Sequence, residues 1–132
     1  MTPEPPYFEG EGVTLARATF NKTFHGPLSA TGVVQFLSVR AGTNAAYVAL
    51  ERIEGTLDGR LGSFVATHKG IASASGKSLT VEIVPGTGTG ELAGIEGTID
   101  IDIEGGKHFY TVHYALSANG ASPHPRESQH DA

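Results

Sequence analysis

The sequence predicts an all-β fold, a small antiparallel β-barrel of about seven to eight strands. Three observations carry that prediction. Eighteen glycines are spread through 132 residues, the mark of a chain that turns often. Long segments alternate apolar and polar residues with period two, and almost no helical pattern accompanies them. Turn signals such as Asp58-Gly59 and Gly105-Gly106 fall between the alternating segments. A sandwich is the alternative arrangement of the same strands.

Residues 1–12 hold Pro3, Pro5 and Pro6 followed by Glu9-Gly-Glu-Gly12, which suits an extended lead-in rather than a central strand or helix. From Val13 to Phe24 a strand presents two faces, Val13, Leu15, Arg17 and Thr19 against Ala16, Ala18, Phe20 and Phe24. Both faces are partly apolar, so the pattern does not fix which way Arg17 points. His25-Gly-Pro27 makes a turn, Leu28 to Arg40 a second strand with a bend or bulge at Gly32, and Ala41-Gly-Thr-Asn44 another turn.

Tyr47 to Gly70 is the central hairpin, folded about Asp58-Gly59. Tyr47, Ala49, Glu51 and Ile53 share one phase of its first arm, and Phe64, Ala66 and His68 one phase of its second. An acid and an imidazole therefore stand on otherwise apolar faces. Ser78 to Val84 alternates cleanly, Pro85 to Gly90 is a glycine-threonine loop, and Ile95 to Glu104 alternates isoleucine with acid. After Gly105-Gly106, one phase of the last strand carries His108, Tyr110, Val112, Tyr114 and Leu116. The barrel domain spans 13–118, and from 119 to 132 proline, histidine, serine and charge mark a solvated tail.

The totals exclude several function classes. The length is that of one domain. A formal net charge of -5 and nine scattered Lys and Arg leave no surface that would track nucleic-acid phosphates. The absence of cysteine removes disulfides, thiolate metal sites and a cysteine nucleophile, and is most natural in a reducing compartment. No apolar run approaches the ~18 residues of a membrane span. A cytoplasmic protein with no nucleic-acid or membrane partner is expected.

Motifs that suggest chemistry have plain structural readings beside them. Gly86-Thr-Gly-Thr-Gly90 resembles a phosphate cradle only in composition, since its spacing is wrong and no Walker lysine follows. Asp100, Asp102 and Glu104 read as a solvated sheet face rather than a calcium site. Of six histidines only His68 and His108 fall on inward phases; with no fixed spacing between them they are weak evidence for zinc, for which Glu51 is the most plausible third ligand, and neither metal nor cofactor is expected.

The inward set of a closed barrel is Tyr47, Glu51, Phe64, His68, His108, Tyr110 and Tyr114. Enclosed in one lumen, Glu51 and His68 would form a proton-transfer pair. The plainer account pairs Glu51 with an arginine such as Arg17 and leaves His68 a satisfied core residue.

Three stretches, Tyr47 to Gly70, Val84 to Gly97 and His108 to Tyr114, resemble the bacterial domain-of-unknown-function family three-two-two-four, across roughly Leu15 to Leu116. The resemblance implies the allene-oxide-cyclase barrel, a small antiparallel fold similar in shape to lipocalins. It implies no activity, and Glu51, His68, Glu91 and Tyr110 match family positions to which no role attaches. Such domains usually begin with an additional strand ending near a Trp, where this chain offers Tyr7-Phe8 and no Trp. The edge left bare would be covered by a second protomer or by the tail after Ser117, and a homo-oligomer, with a dimer favoured, is expected.

The expected function is binding of a small, mostly apolar molecule in the lumen. Catalysis there would be that of a cofactor-independent isomerase, cyclase or lyase with Glu51 and His68 moving the proton. Tyr47, Tyr110 and Tyr114 would orient the ligand, Phe64 would shape the wall, and His108 and Arg17 would complete the site. A non-catalytic carrier or sensor is the alternative. So is a filled barrel acting as an oligomer-forming module, for which a cavity below about 300 Å³ would argue.

Overall fold

A computed structural model describes residues 2–116 and 124–131 of the chain, all strands and turns, with no helix among them. Eleven strands form one antiparallel sheet: β1 (Thr2–Pro3), β2 (Phe8–Gly10), β3 (Val13–His25), β4 (Leu28–Ala41), β5 (Asn44–Leu57), β6 (Arg60–Ser73), β7 (Gly76–Ile83), β8 (Thr89–Gly90), β9 (Ile95–Glu104), β10 (Lys107–Leu116) and β11 (His124–Asp131). Among the described residues no helix is long and apolar enough to cross a membrane.

Turn chemistry sets the register. Asp58 and Gly59 have φ of 51° and 81°, the two left-handed residues that a tight two-residue hairpin turn demands. They put Leu57 opposite Arg60, so Ile53 faces Phe64, Glu51 faces Ala66, Ala49 faces His68 and Tyr47 faces Gly70. Because side chains alternate across a strand, all of these point to one side of the sheet. A one-residue slip would turn every one of them outward.

Strands β3 to β7 run as a meander, β9 and β10 form a hairpin, and β11 lies between β10 and β3. The sheet curls round on itself without sealing into an evenly bonded barrel. β7 meets β9 through two residue pairs, and β11 meets β3 through three. The first gap has a local cause. After Ile83 the chain leaves the sheet, and the glycine-threonine loop returns to lay β8 against Gly62 and Ser63 of β6. Thr89 and Thr87 accept hydrogen bonds from the Ser63 and Val65 amides, and Glu91 Oε1 accepts from the Leu61 amide. The loop that looks like a phosphate cradle is a patch on an exposed strand edge, which would otherwise carry unpaired backbone groups.

The second join lies along the edge of β3, which β1 and β2 pair at Ala18–Thr19 and Val13–Leu15 and leave open toward His25. Residues 124–131 fill it as β11, with seven pairs to β10, where composition predicts a solvated tail. The composition has no strand alternation, but two neighbouring edges offer unpaired N–H and C=O groups, and satisfying these outweighs weak local propensity. Of that predicted tail, residues 119–123 and 132 lie outside the described residues, as do 117 and 118 of the predicted barrel domain.

The interior is filled unevenly. At one end Phe24, Leu28, Ile53, Leu57, Phe64, Leu92, Ile95, Ile99, Val112, Tyr114 and Leu116 pack into a continuous core. Toward the other end burial fades along the same inward phase, from Ile95 at 0% exposed through Ile99 and Ile101 to Ile103 at 65%. Leu92, brought under the sheet by the loop after β8, is fully buried and plugs the packed end. Among the described residues nothing equivalent plugs the other.

Candidate functional site

The unfilled end of the lumen is a cavity of about 340 Å³. Its upper wall is aromatic and aliphatic: Phe20 and Phe36 meet edge to face, Phe36 stacks on Tyr47 at 4.8 Å between ring centres, and Leu79, Ile101 and Ile103 complete the ring. Gly70 lies under the Tyr47 ring, and a side chain there would collide with it. Larger hollows occur elsewhere, about 500 Å³ at the hairpin ends near Arg40 and Lys77 and about 800 Å³ along the outward Leu37, Val48 and Leu50. Of these three hollows among the described residues, the lumen is the one that brings Lys22, His68 and Tyr110 onto one surface.

Those three residues and Glu51 form a polar floor between the cavity and the packed core. Glu51 is 1% exposed and stands behind the cavity wall. Its Oε1 accepts the His68 Nε2 hydrogen at 2.8 Å and lies 3.5 Å from Lys22 Nζ. Lys22 Nζ also donates to the Tyr110 hydroxyl at 3.1 Å and sits 5.3 Å from the centre of that ring. Burial, then the Glu51 charge, then Tyr47 push the Tyr110 hydroxyl far above the usual tyrosine range, and burial raises Tyr47 as well. Tyr110 is therefore a neutral hydroxyl at any physiological pH.

The second oxygen, Glu51 Oε2, is buried with no hydrogen-bond partner among the described residues. It occupies the space that a side chain at Gly32 would need. Gly32 is thus not a bulge, since its pairing with Ile53 and Lys22 is regular; it is a gap in the wall that admits the carboxylate. A buried acid held this way is costly unless paired, and here both partners reach the same oxygen. That arrangement fixes the chemistry of His68. With Nε2–H donated to a carboxylate, the neutral ring carries its lone pair on Nδ1, and Nδ1 has no protein partner among the described residues.

Of the residues expected in the site, Tyr47, His68, His108 and Tyr110 line the cavity and Glu51 backs it. Phe64 and Tyr114 point inward but belong to the packed core. The Tyr114 hydroxyl is engaged by Asp58 of the hairpin turn, at the opposite end from the cavity. Arg17 lies on the outer face, 59% exposed, and pairs with Glu4 at 3.1 Å. It neither reaches the lumen nor meets Glu51, because Ala18, Phe20, Lys22 and Phe24 hold the inward phase of β3. Asp100 is exposed and pairs with His113 on the outer face, and among the described residues no group of three or more His, Asp or Glu is placed to hold a metal ion.

Lys22 is the member that pattern reasoning missed. The signal was present: a lysine two residues from Phe20 and two from Phe24, in the apolar phase of its strand.

Comparison with curated proteins finds no match. Among solved structures, the chain is similar to a protein of unknown function of the DUF3224 family from Shewanella oneidensis MR-1, solved at 1.84 Å. The two are 43% identical, with a TM-score of 0.81 over 87% of this chain and 88% of that one. The family profile described as a protein of unknown function, DUF3224, matches residues 1–114. With β1 to β9, nearly all of β10 and the four residues of the polar floor inside that match, the chain belongs to the DUF3224 family.

Proposed function

We propose that the lumen binds a small, mostly apolar molecule in the cytoplasm, its polar end lodged on the floor formed by Lys22, His68 and Tyr110. The observation that carries this reading is the abrupt boundary: an apolar cavity of about 340 Å³ ends on four buried or half-buried polar side chains. That volume lies just above the roughly 300 Å³ where ligand pockets begin. Buried polar groups with capacity to spare favour an occupant that completes them. On the bound molecule, His68 Nδ1 is the group placed to take or return a proton, with Glu51 fixing the tautomer behind it. This suits an isomerase, cyclase or lyase, and without a susceptible bond in the ligand the same site is a carrier.

The test uses an uncharged fluorescent probe, N-phenyl-1-naphthylamine. Titration should show one saturable site, lost in Ala49→Phe, which fills the lumen, and kept in Leu50→Ser on the outer apolar face. Probe binding that follows Leu50 instead of Ala49 would sink the reading.

A further inference from the structure

The polar floor carries a charge balance that narrows the class of occupant, an inference that rests on the lumen being a binding site. Counted with the imidazole in its neutral form, the floor sets one lysine against one carboxylate. On the cavity side the carboxylate is used up. Oε1 serves both His68 and Lys22, while Oε2 is turned into the wall at Gly32. What faces the cavity is therefore a donor surface. An ammonium has three N–H groups; on Lys22 one is given to Tyr110 and one directed at Glu51, which leaves a third. Beside it stands His68 Nδ1, a ring nitrogen able to bind a proton.

An anion entering this floor adds a charge to a site shielded by Phe20, Val34, Phe36 and Ile101, where an uncompensated charge is costly. One further proton restores neutrality. On His68 Nδ1 it turns that nitrogen into a second donor next to Lys22, and a carboxylate has two oxygens to meet two donors. We infer that the lumen selects apolar monocarboxylates and that each is taken up with about one proton on His68.

The titratable and charged groups around His68 are Glu51 and Tyr47 on β5, Lys22 on β3, and His108 and Tyr110 on β10. The inward residues of β7 and β9 beside it are Leu79, Val81, Ile101 and Ile103, which carry no charge. The two tyrosines stay neutral, so His108 is the one competitor for the proton.

Octanoate and 1-octanol distinguish the possibilities, each titrated calorimetrically in buffers of low and high ionisation enthalpy. Octanoate should bind roughly tenfold or more tighter than 1-octanol near neutral pH, the worth of charge-assisted hydrogen bonds. The buffer dependence should report about one proton taken up, and affinity should fall about tenfold per pH unit on the alkaline side. His68→Gln should remove the proton uptake, and His108→Gln should leave it. Lys22→Met should reduce octanoate to the level of 1-octanol while N-phenyl-1-naphthylamine still binds, which also shows that the variant is folded. Equal affinity for acid and alcohol, or heats independent of buffer, would overturn the inference while leaving the lumen reading intact. If neither octanol nor the naphthylamine enters, the lumen reading itself fails and this inference with it.

Discussion

The two ends of the lumen are built from the same strands and the same alternation, yet one is core and the other is cavity. At the packed end Leu92 enters from outside the sheet and Tyr114 is tied to the hairpin turn at Asp58. At the open end the inward residues Phe20, Phe36, Tyr47 and Ile103 pack along one another and line a cavity. The difference teaches that period two decides which side of a sheet a residue faces, and that something else must decide whether the space there is filled. Glu51 sits at the boundary for an energetic reason. Deeper, its lysine and histidine would lose all contact with water, and a fully desolvated ion pair rarely offsets its own burial.

Truncation at the packed end should have the largest effect on stability. Phe64→Ala should cost about 3–5 kcal/mol, the range for emptying a large buried site, and Ile103→Ala at the mouth should fall within about 0.5 kcal/mol. Urea denaturation of both variants measures the contrast, and similar losses would mean that the lumen is filled evenly. Next comes the boundary itself. Gly32→Ala forces the Glu51 carboxylate out of its gap and should cost about 1–3 kcal/mol. The imidazole nitrogen NMR shifts of His68 should then show the Nε2–H form giving way to a tautomeric mixture; an unaltered His68 would mean that Gly32 does not position the acid.

The smallest effect concerns pH. Folding raises the Tyr110 hydroxyl above its unfolded value, through burial first and the Glu51 charge second. Its contribution to stability is therefore complete below about pH 10, where the unfolded tyrosine ionises, and is lost progressively above it. Denaturation across that window should show stability falling with pH, and falling less steeply in Tyr110→Phe. A parallel decline in both proteins would place the alkaline sensitivity elsewhere.

Much of this was legible in the residues. Asp58-Gly59 specifies a register, and that register alone puts Glu51 and His68 on one face. Depth was not legible. Phe64 and Tyr114 share the inward phase with His68 and Tyr110, and only the arrival of Leu92 at one end of the lumen distinguishes core from wall. Lys22 was hidden by the habit of assigning a lysine to solvent, although its long stem is well suited to passing over Phe24 and Tyr110. Arg17 is its counterpart, a cation on the phase that turns outward. β11 was hidden differently, because it forms to complete edges supplied by distant strands, and no local pattern encodes that.

The narrow join between β11 and β3 has a consequence for the order of folding. Nearly every other pairing of long strands joins neighbours in the chain, which is the arrangement that closes quickly. The β3–β11 pairs must wait until β4 through β10 have been laid down, so the Thr23–His25 end of the β3 edge and the outer edge of β10 stand bare in the meantime. Such edges are where one nascent chain captures another. The three pairs that close the sheet are thus a last-formed clasp, and pulsed hydrogen exchange during refolding should find the amides of β11 protected after those of the β5–β6 hairpin.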